Sequence, residues 1–125
     1  MRASNRLFTI RPATTNDIVR ICGFAEEFLQ KTHGDVSNEE SRQVFQHVLK
    51  HPDSGIIVVA EHKEGVCAYA YASYEWRSEF GGETMHFVEL FVEPAWRNKG
   101  VGASLVGAIL QNARQRGIHA FCAAN

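Results

Sequence analysis

A chain of 125 residues with 45% apolar residues, 22% charged residues and a net charge of −1 has the length and composition of one globular domain, which excludes collagen-like and intrinsically disordered classes. It has no run near the ~18 apolar residues of a membrane span and no signal-peptide pattern, so we expect no membrane partner. Its three widely spaced cysteines, Cys22, Cys67 and Cys122, form no metal-binding motif and predict free thiols in a reducing cytoplasm.

The charges are distributed unevenly along the chain. All 14 acidic residues lie at or before Glu93, and the charged residues beyond it are four cations: Arg97, Lys99, Arg114 and Arg116. A cationic end favours an anionic ligand and the acidic remainder favours a cationic one, although a random scatter of surface charge explains the pattern equally well. There is no basic stripe with interleaved aromatic residues, so we expect no nucleic-acid partner.

The chain opens with a predicted strand followed by a predicted helix. Residues 7–11 alternate between apolar and polar side chains, which is typical of a half-buried strand. Thr14 and Asp17 have the spacing of a capping box, and the helix that they open is expected to stop at Gly34. Its buried face is predicted from apolar residues at helical spacing: Ile18, Ile21, Cys22, Ala25, Phe28 and Leu29.

A second helix and a hairpin follow. Ser37 and Glu40 form another capping box, and Pro52 ends a helix whose predicted buried face has four residues: Val44, Phe45, Val48 and Leu49. The continuous apolar run 56–60 predicts a central strand that is buried on both faces. A polar link joins this run to the strand 66–74, which carries small residues (Ala68, Ala70, Ala72) on one face and Tyr69 and Tyr71 on the other. The small face predicts close packing of a helix or a ligand.

The last third predicts a strand, a helix and a final strand. The strand covers residues 84–92, the helix follows Gly102 with a core face of four residues (Leu105, Val106, Ile109 and Leu110), and the final strand covers residues 118–123. The predicted order is β-α-α-β-β-β-α-β. Short hairpin links imply antiparallel pairs, and the last strand–helix–strand unit implies a parallel pair with a right-handed crossover. The fold class is therefore α/β or α+β with a mixed sheet.

A glycine-rich segment joins the strand 84–92 to the helix that follows it. It lacks the G-x-x-x-x-G-K-[ST] string of a Walker A loop, and Leu105 stands where a dinucleotide-binding loop needs its third glycine. Residues 97–102 (Arg-Asn-Lys-Gly-Val-Gly) fit a third pattern, [QR]-x-x-G-x-[GA] between a strand and a helix. Bare backbone at a helix start, where N–H groups are unpaired, predicts a cradle for a phosphate or pyrophosphate.

This segment resembles the pyrophosphate loop of the GNAT superfamily of acetyl-CoA-dependent N-acetyltransferases. The opening residues 10–14 (Ile-Arg-Pro-Ala-Thr) with Asp17 and Ile18 resemble the family's first strand and helix, and the element order is similar throughout. The resemblance implies acetyl-CoA as co-substrate and no metal. It implies a bulged strand before the loop, whose backbone holds the pantetheine arm. The implied cofactor-binding residues are Leu90, Phe91, Val92, Glu93, Arg97, Asn98, Lys99, Gly100, Val101, Gly102 and Ala103.

Amine acetylation needs a base, because an ammonium ion must lose a proton before its nitrogen can attack. The family often places a carboxylate on the strand beside the pantetheine arm, so Glu89 is the candidate catalytic base. The alternative is that it only binds or orients the substrate ammonium, or pairs with a cation. His86 is expected to be an edge histidine without a catalytic role. The thiolate-protonating tyrosine of the family has no counterpart in this chain.

The acceptor is expected to be a cationic amine, of either a small molecule or a protein. The candidate substrate residues are Tyr74, Glu75 and Trp76, and four glutamates are expected to cluster near them: Glu75, Glu79, Glu83 and Glu89. Four separately solvated glutamates are the competing interpretation. The stretch 69–76 loosely resembles the diamine acetyltransferase branch.

Family members continue with a helix and two further strands beyond the point that corresponds to Asn125. The resemblance therefore implies one N-acetyltransferase-like domain, residues 1–125, that is incomplete at its C-terminus. Three alternatives to an active enzyme stay open: a catalytically silent CoA-binding or interaction module, a truncated fragment, and one half of a dimer that completes the sheet. Because an uncovered last strand is a liability, we expect a homodimer.

Overall fold

The computed structural model describes residues 7–33 and 38–123, without the side chains of residues 28–33, 38, 80 and 123. Its strands are β1 (Thr9–Pro12), β2 (Gly55–His62), β3 (Gly65–Arg77), β4 (Gly82–Val92) and β5 (Phe121–Ala123). Its helices are α1 (Ile18–His33), α2 (Asn38–Lys50) and α3 (Val101–Gln115). The predicted order of elements is confirmed. The predicted stop at Gly34, the Ser37 cap and the side chains of Phe28 and Leu29 lie outside the described residues.

The five strands form one mixed sheet in the order β1-β2-β3-β4-β5. The first three pairs are antiparallel and β4 pairs with β5 in parallel, as the connection lengths predict. One core lies between the sheet and α3, and a second lies between the opposite face and the helices α1 and α2. The alanine face of β3 belongs to the first core and Tyr69 belongs to the second. The sequence predicted that either a helix or a ligand would pack closely on this alanine face, and in the structure it is the helix α3.

Three predicted details of the core are wrong. Val44 of α2 is 43% exposed, because the contact of α2 with the sheet is narrower than a four-residue stripe. In α3 the fully buried residues are Val101, Leu105, Ile109 and Ala113. Leu110 is half-buried and packs against this core as predicted, whereas Val106 is half-buried and is not part of it. The last strand is shorter than expected, since β5 pairs with only three residues of β4; Ile118 is buried in the core before the strand begins.

A buried ion pair fixes the entry to α1. Asp17 receives two hydrogen bonds from the guanidinium of Arg11, at 2.8 and 2.9 Å, and a third at 2.8 Å from the backbone N–H of Thr14, which confirms the predicted helix start. Arg11 also contacts the more exposed Glu61 at 3.1 Å. The hydrogen bonds from Arg11, followed by that from Thr14, lower the pKa of Asp17 against the opposing effect of burial.

We expect Asp17→Asn to lower the free energy of unfolding by about 2–3 kcal/mol at pH 7, because it leaves Arg11 without its buried partner. A carboxyl group with a depressed pKa stabilises the fold above its unfolded pKa, about 3.9, and loses this contribution as the pH falls through the folded value. The difference in the free energy of unfolding between wild type and variant should thus become smaller below about pH 4. Urea titrations at several pH values measure it. Glu61→Gln is the control, with an expected cost below about 1 kcal/mol, and equal costs would contradict the assignment.

Candidate active site

Strand β4 carries one extra residue at its centre. Tyr71 of β3 lies opposite Glu89, and the next residue of β3, Ala72, lies opposite Phe87, so that Val88 is the residue of a β-bulge. The pairing of β4 with β5 covers only residues 85–87 within the described part of the chain. The strand is therefore bulged, as the resemblance implies. Its course relative to β5 beyond Phe87 lies outside the described residues.

The segment between β4 and α3 has a backbone shape that suits an anion. Asn98 and Gly100 both have left-handed conformations, with φ of 63° and 83°. The first helical hydrogen bond of α3 runs from the N–H of Ser104 to the carbonyl of Gly100, at 3.1 Å. Among the described residues no side chain caps this end, and the N–H groups of residues 101–103 have no acceptor. Three unpaired N–H groups at a helix N-terminus suit a phosphate group.

The predicted loop residues lie around this helix start. Residues 97–100 are exposed, and the Arg97 guanidinium lies 5.8 Å from the Phe91 ring while its Nε donates to the carbonyl of Val92 at 2.9 Å. A Cβ built on Gly102 would lie 3.8 Å from the Leu90 side chain and 4.0 Å from that of Val92. The helix start and the end of β4 are thus adjacent. The loop and the strand together fit a phosphate group with an attached chain.

Two members of the predicted cofactor set differ from the expectation. Glu93 does not offer free backbone groups, because its N–H donates to the carbonyl of Cys67 at 2.9 Å and its carbonyl accepts from Trp96 at 2.8 Å. Its carboxylate pairs with Arg20 at 3.1 Å. The side chain of Val101 is 1% exposed and packs in the core against the sheet. Only the backbone of Val101 is therefore at the surface of the loop.

The side chain of Glu89 lies on the sheet face that α1 and α2 cover. The hydroxyl of Tyr69 donates to Oε1 of Glu89 at 2.5 Å, and Tyr69 itself is fully buried. Burial, followed by the charge of Glu89, raises the pKa of Tyr69, so the phenol stays neutral and remains a donor. Burial and the same carboxylate also raise the pKa of Tyr71. Glu89 is therefore held at the bulge by a donor that does not ionise near neutral pH.

A cavity opens on the same face, beside Tyr71. It has a volume of about 490 Å³, within the range of small-molecule sites. Its wall combines the apolar side chains of α2 and β3 with a few polar groups: Glu40, Gln43, Val44, His47, Val48, Ser54 and Tyr71. The exposure of Val44, which the sequence did not predict, is explained by its position in this wall. The cavity and Glu89 are neighbours through Tyr71, the cross-strand partner of Glu89.

Two of the three predicted substrate residues, Tyr74 and Trp76, lie on the sheet face opposite to the cavity. Tyr74 packs on the α3 side of the sheet, where its hydroxyl donates to Asn112 at 3.0 Å and its ring lies 4.4 Å from the Arg116 guanidinium. Trp76, two residues along the same strand, shares that face and is 79% exposed. Glu75 lies on the face of Tyr71, with its carboxylate 3.4 Å from Arg77. Side chains alternate between the two faces of a strand, so counting from Ala72 could have predicted that Tyr74 and Trp76 share its face.

The expected cluster of four glutamates does not form. Glu83 pairs with Arg116 at 2.9 Å on the α3 side, and Glu75 pairs with Arg77. Glu89 is six residues from Glu83 along β4, about 20 Å in a strand. Glu75, Glu83 and Glu89 therefore lie in separate environments, and of these three Glu75 and Glu89 share the face of the cavity.

His86 is not the edge residue that its position suggested. It lies inside the sheet, between Ser73 of β3 and Cys122 of β5, and it is half-buried. Its Nδ1 atom is buried and has no hydrogen-bond partner in the part of the chain that the structure describes. In the described residues, no group of three or more His, Cys, Asp or Glu side chains could hold a metal ion, and no helix is long and apolar enough to cross a membrane.

A mixed sheet whose bulged strand ends at a bare helix N-terminus is the arrangement that the resemblance implies for an acyl-CoA N-acyltransferase. The sequence model of the acetyltransferase (GNAT) family matches residues 22–125. The chain therefore belongs to this family and is an N-acetyltransferase. A comparison with curated proteins found no match.

Three solved structures share the fold. An integron cassette protein from the Cole Harbour Salt Marsh metagenome has a TM-score of 0.86 at 23% identity, over 93% of this chain and 76% of the other. A predicted acetyltransferase from Clostridium acetobutylicum, solved with acetyl-CoA, has a TM-score of 0.83 at 17% identity, over 95% of this chain and 81% of the other. An aminoglycoside N-acetyltransferase in complex with CoA has a TM-score of 0.79 at 16% identity, over 94% of this chain and 76% of the other. The diamine acetyltransferase resemblance gains no support, and the cytoplasmic location and the homodimer stay predictions.

Proposed function

We propose that this protein transfers the acetyl group of acetyl-CoA to the primary amine of a cationic small molecule, with Glu89 as the base. The observation that carries the proposal is the placement of Glu89. It lies at the bulge, one residue before Leu90, whose side chain faces the start of α3. The same carboxylate lies on the face that contains the cavity. One group thus stands between the cofactor loop and a space for a second substrate.

The residues of the loop fit the co-substrate. The N–H groups of residues 101–103 would bind the pyrophosphate, and the exposed cations Arg97 and Lys99 would add attraction. The backbone of residues 90–92, beyond the bulge of β4, would hold the pantetheine arm. When bound, acetyl-CoA supplies an activated acetyl group, whose carbonyl carbon gains a bond to the amine nitrogen and loses its bond to sulfur. The fold is shared with a Clostridium acetobutylicum protein that was solved with acetyl-CoA.

Glu89 accounts for the proton that the amine must lose. A primary amine is mostly an ammonium ion at neutral pH, and only its neutral form is a nucleophile. An ionised Glu89 attracts the ammonium ion and then accepts its proton, so the same group selects a cationic acceptor and activates it. Because Tyr69 holds Oε1, the carboxylate has a fixed orientation toward the bulge.

The cavity beside Tyr71 accounts for the rest of the acceptor. Val44 and Val48 offer an apolar wall, and Glu40 adds a carboxylate at the same opening. An amine with an extended or ring-shaped body of several carbons would place its reactive nitrogen at Glu89 and its body in the cavity. Polyamines, lysine-like amines and aminoglycosides have this shape, and one enzyme that shares the fold is an aminoglycoside N-acetyltransferase.

The test is release of free thiol from acetyl-CoA in the presence of a panel of amines. The panel contains alkyl diamines, lysine derivatives and aminoglycosides, with neutral amides and N-acetylated amines of equal size as controls. We expect turnover with at least one cationic member and none with the controls. Thermal unfolding with CoA completes the design: stabilisation without turnover on any amine would indicate a catalytically silent CoA-binding module, and no stabilisation at millimolar CoA would overturn both interpretations.

A further inference from the structure

We propose that Tyr69 is a positioning residue for Glu89, holding the carboxylate ionised and oriented through the hydrogen bond at its Oε1 atom. The inference rests on the proposed function, in which Glu89 is the base. Tyr69 itself is buried and would not contact the substrate. Its role would be exerted entirely through Glu89.

The hydrogen bond depends on the register of two strands. Tyr69 lies directly opposite Phe91, and Glu89 lies opposite Tyr71, so the contact is a diagonal one within reach of a long aromatic side chain. The bulge at Val88 is what turns Glu89 onto the face of Tyr69, since Phe87 points to the other core. The donor and the acceptor therefore meet because of the irregularity in β4.

The ring of Tyr69 has little freedom to move. It is parallel to Phe24 at 6.4 Å and meets Phe45 edge-on at 5.7 Å, and Phe24 in turn stacks on Phe91 at 4.9 Å. A phenol fixed in this way by two aromatic neighbours points its hydroxyl in one direction. The bond to Glu89 thus costs little additional ordering when it forms.

A donor at this place matters because a hydrogen bond to a carboxylate fixes its orientation and favours its charged form. Tyr71 from β3 and Cys22 from α1 lie within range of the Glu89 charge, since burial raises the pKa of each and this charge raises it further. From α2, Arg42 and Glu39 act on the same Cys22 with opposite signs. A hydrogen bond to the charged form of a carboxyl group lowers its pKa. Tyr69 thereby keeps Glu89 available as a base near neutral pH.

The experiment measures the pKa of Glu89 by carbon-detected NMR in the wild type, Tyr69→Phe and Tyr74→Phe. Removing a hydrogen bond to a charged group should raise the pKa of Glu89 by about 1–2 units in Tyr69→Phe. The acid limb of the kcat/KM profile should move to higher pH by the same amount. Tyr74→Phe is a matched control, because it removes a tyrosine hydroxyl bond to Asn112 on the opposite face of the same strand. It should leave both values unchanged.

An unchanged pKa of Glu89 in Tyr69→Phe, or an equal shift in Tyr74→Phe, would overturn the inference. If Tyr69→Phe does not fold, the hydroxyl proton of Tyr69 gives a second measurement: it should exchange slowly in the wild type and faster in Glu89→Ala, and equal rates would overturn it. The two proposals fail separately. Full activity of Glu89→Gln would refute the proposal that Glu89 is the base. An inactive Glu89→Gln together with an unshifted pKa of Glu89 in Tyr69→Phe would refute only the proposed role of Tyr69.

Discussion

Glu89→Gln is expected to lower kcat/KM for amine acetylation by about 10²–10³-fold, the contribution typical of a positioned general base. The amide is nearly the same size and can still accept the hydrogen bond from Tyr69, so the fold should be preserved. It cannot accept a proton from the ammonium ion. The affinity for CoA should stay within a factor of two or so, because the cofactor loop is built from the backbone of residues 101–103.

The control for this substitution is Glu64→Gln, in the exposed turn between β2 and β3. It removes the same charge far from the bulge and should leave kcat/KM unchanged. Steady-state kinetics with the best amine of the panel, together with CoA titration by calorimetry, separate chemistry from binding. Wild-type kcat/KM in Glu89→Gln would show that Glu89 only orients the acceptor or has no part in the reaction.

Gly102→Leu is expected to weaken CoA binding by 100-fold or more, about 2.7 kcal/mol. A Cβ at this position fits beside Leu90 and Val92 at ordinary contact distances, but a longer side chain would fill the space between the helix start and the end of β4. The same substitution improves helix propensity by roughly 0.8 kcal/mol. Binding should therefore fall while the stability of the free protein does not, as calorimetric titration and urea unfolding would measure.

Gly107→Leu is the matched control, because Gly107 is on the same helix and a Cβ there meets nothing within 4 Å. It should gain similar helix propensity and leave CoA affinity unchanged. Gly100 is a less suitable position, since its φ of 83° makes any side chain strained and mixes a folding effect with a binding effect. Equal CoA affinity in Gly102→Leu and Gly107→Leu would place the pyrophosphate elsewhere.

The element order and the cofactor loop could be predicted because both depend on local sequence. Capping residues, apolar periodicity and link lengths gave the helices, the hairpin and the parallel pair, and all are present. The conformation of the loop likewise follows from nearby residues, since Gly100 adopts the left-handed conformation that glycine permits. The family, read from the same segment, is confirmed by the match over residues 22–125.

The acceptor side could not be predicted to the same extent, because it depends on residues far apart in the chain. The bond between Tyr69 and Glu89 spans 20 residues and exists only in the register that the bulge creates. The cavity depends on how α2 lies against β3, which left Val44 exposed. Tyr74 and Trp76 were grouped with Glu75 because they are close in sequence, whereas strand alternation places them on the α3 face of the sheet.

Because β4 contains one extra residue, the site depends on the number of residues in this strand being odd or even at the bulge. Upstream of Val88, Met85 and Phe87 point toward α3; downstream, Phe91 points toward α1 although it is an even number of positions from Phe87. Deleting Val88 would invert every later side chain, so that Glu89 would face the α3 core and Leu90 would face α1. Point substitutions at residue 88 preserve the count, whereas a one-residue deletion there exchanges the α3 side and the α1 side along the whole of the strand that follows.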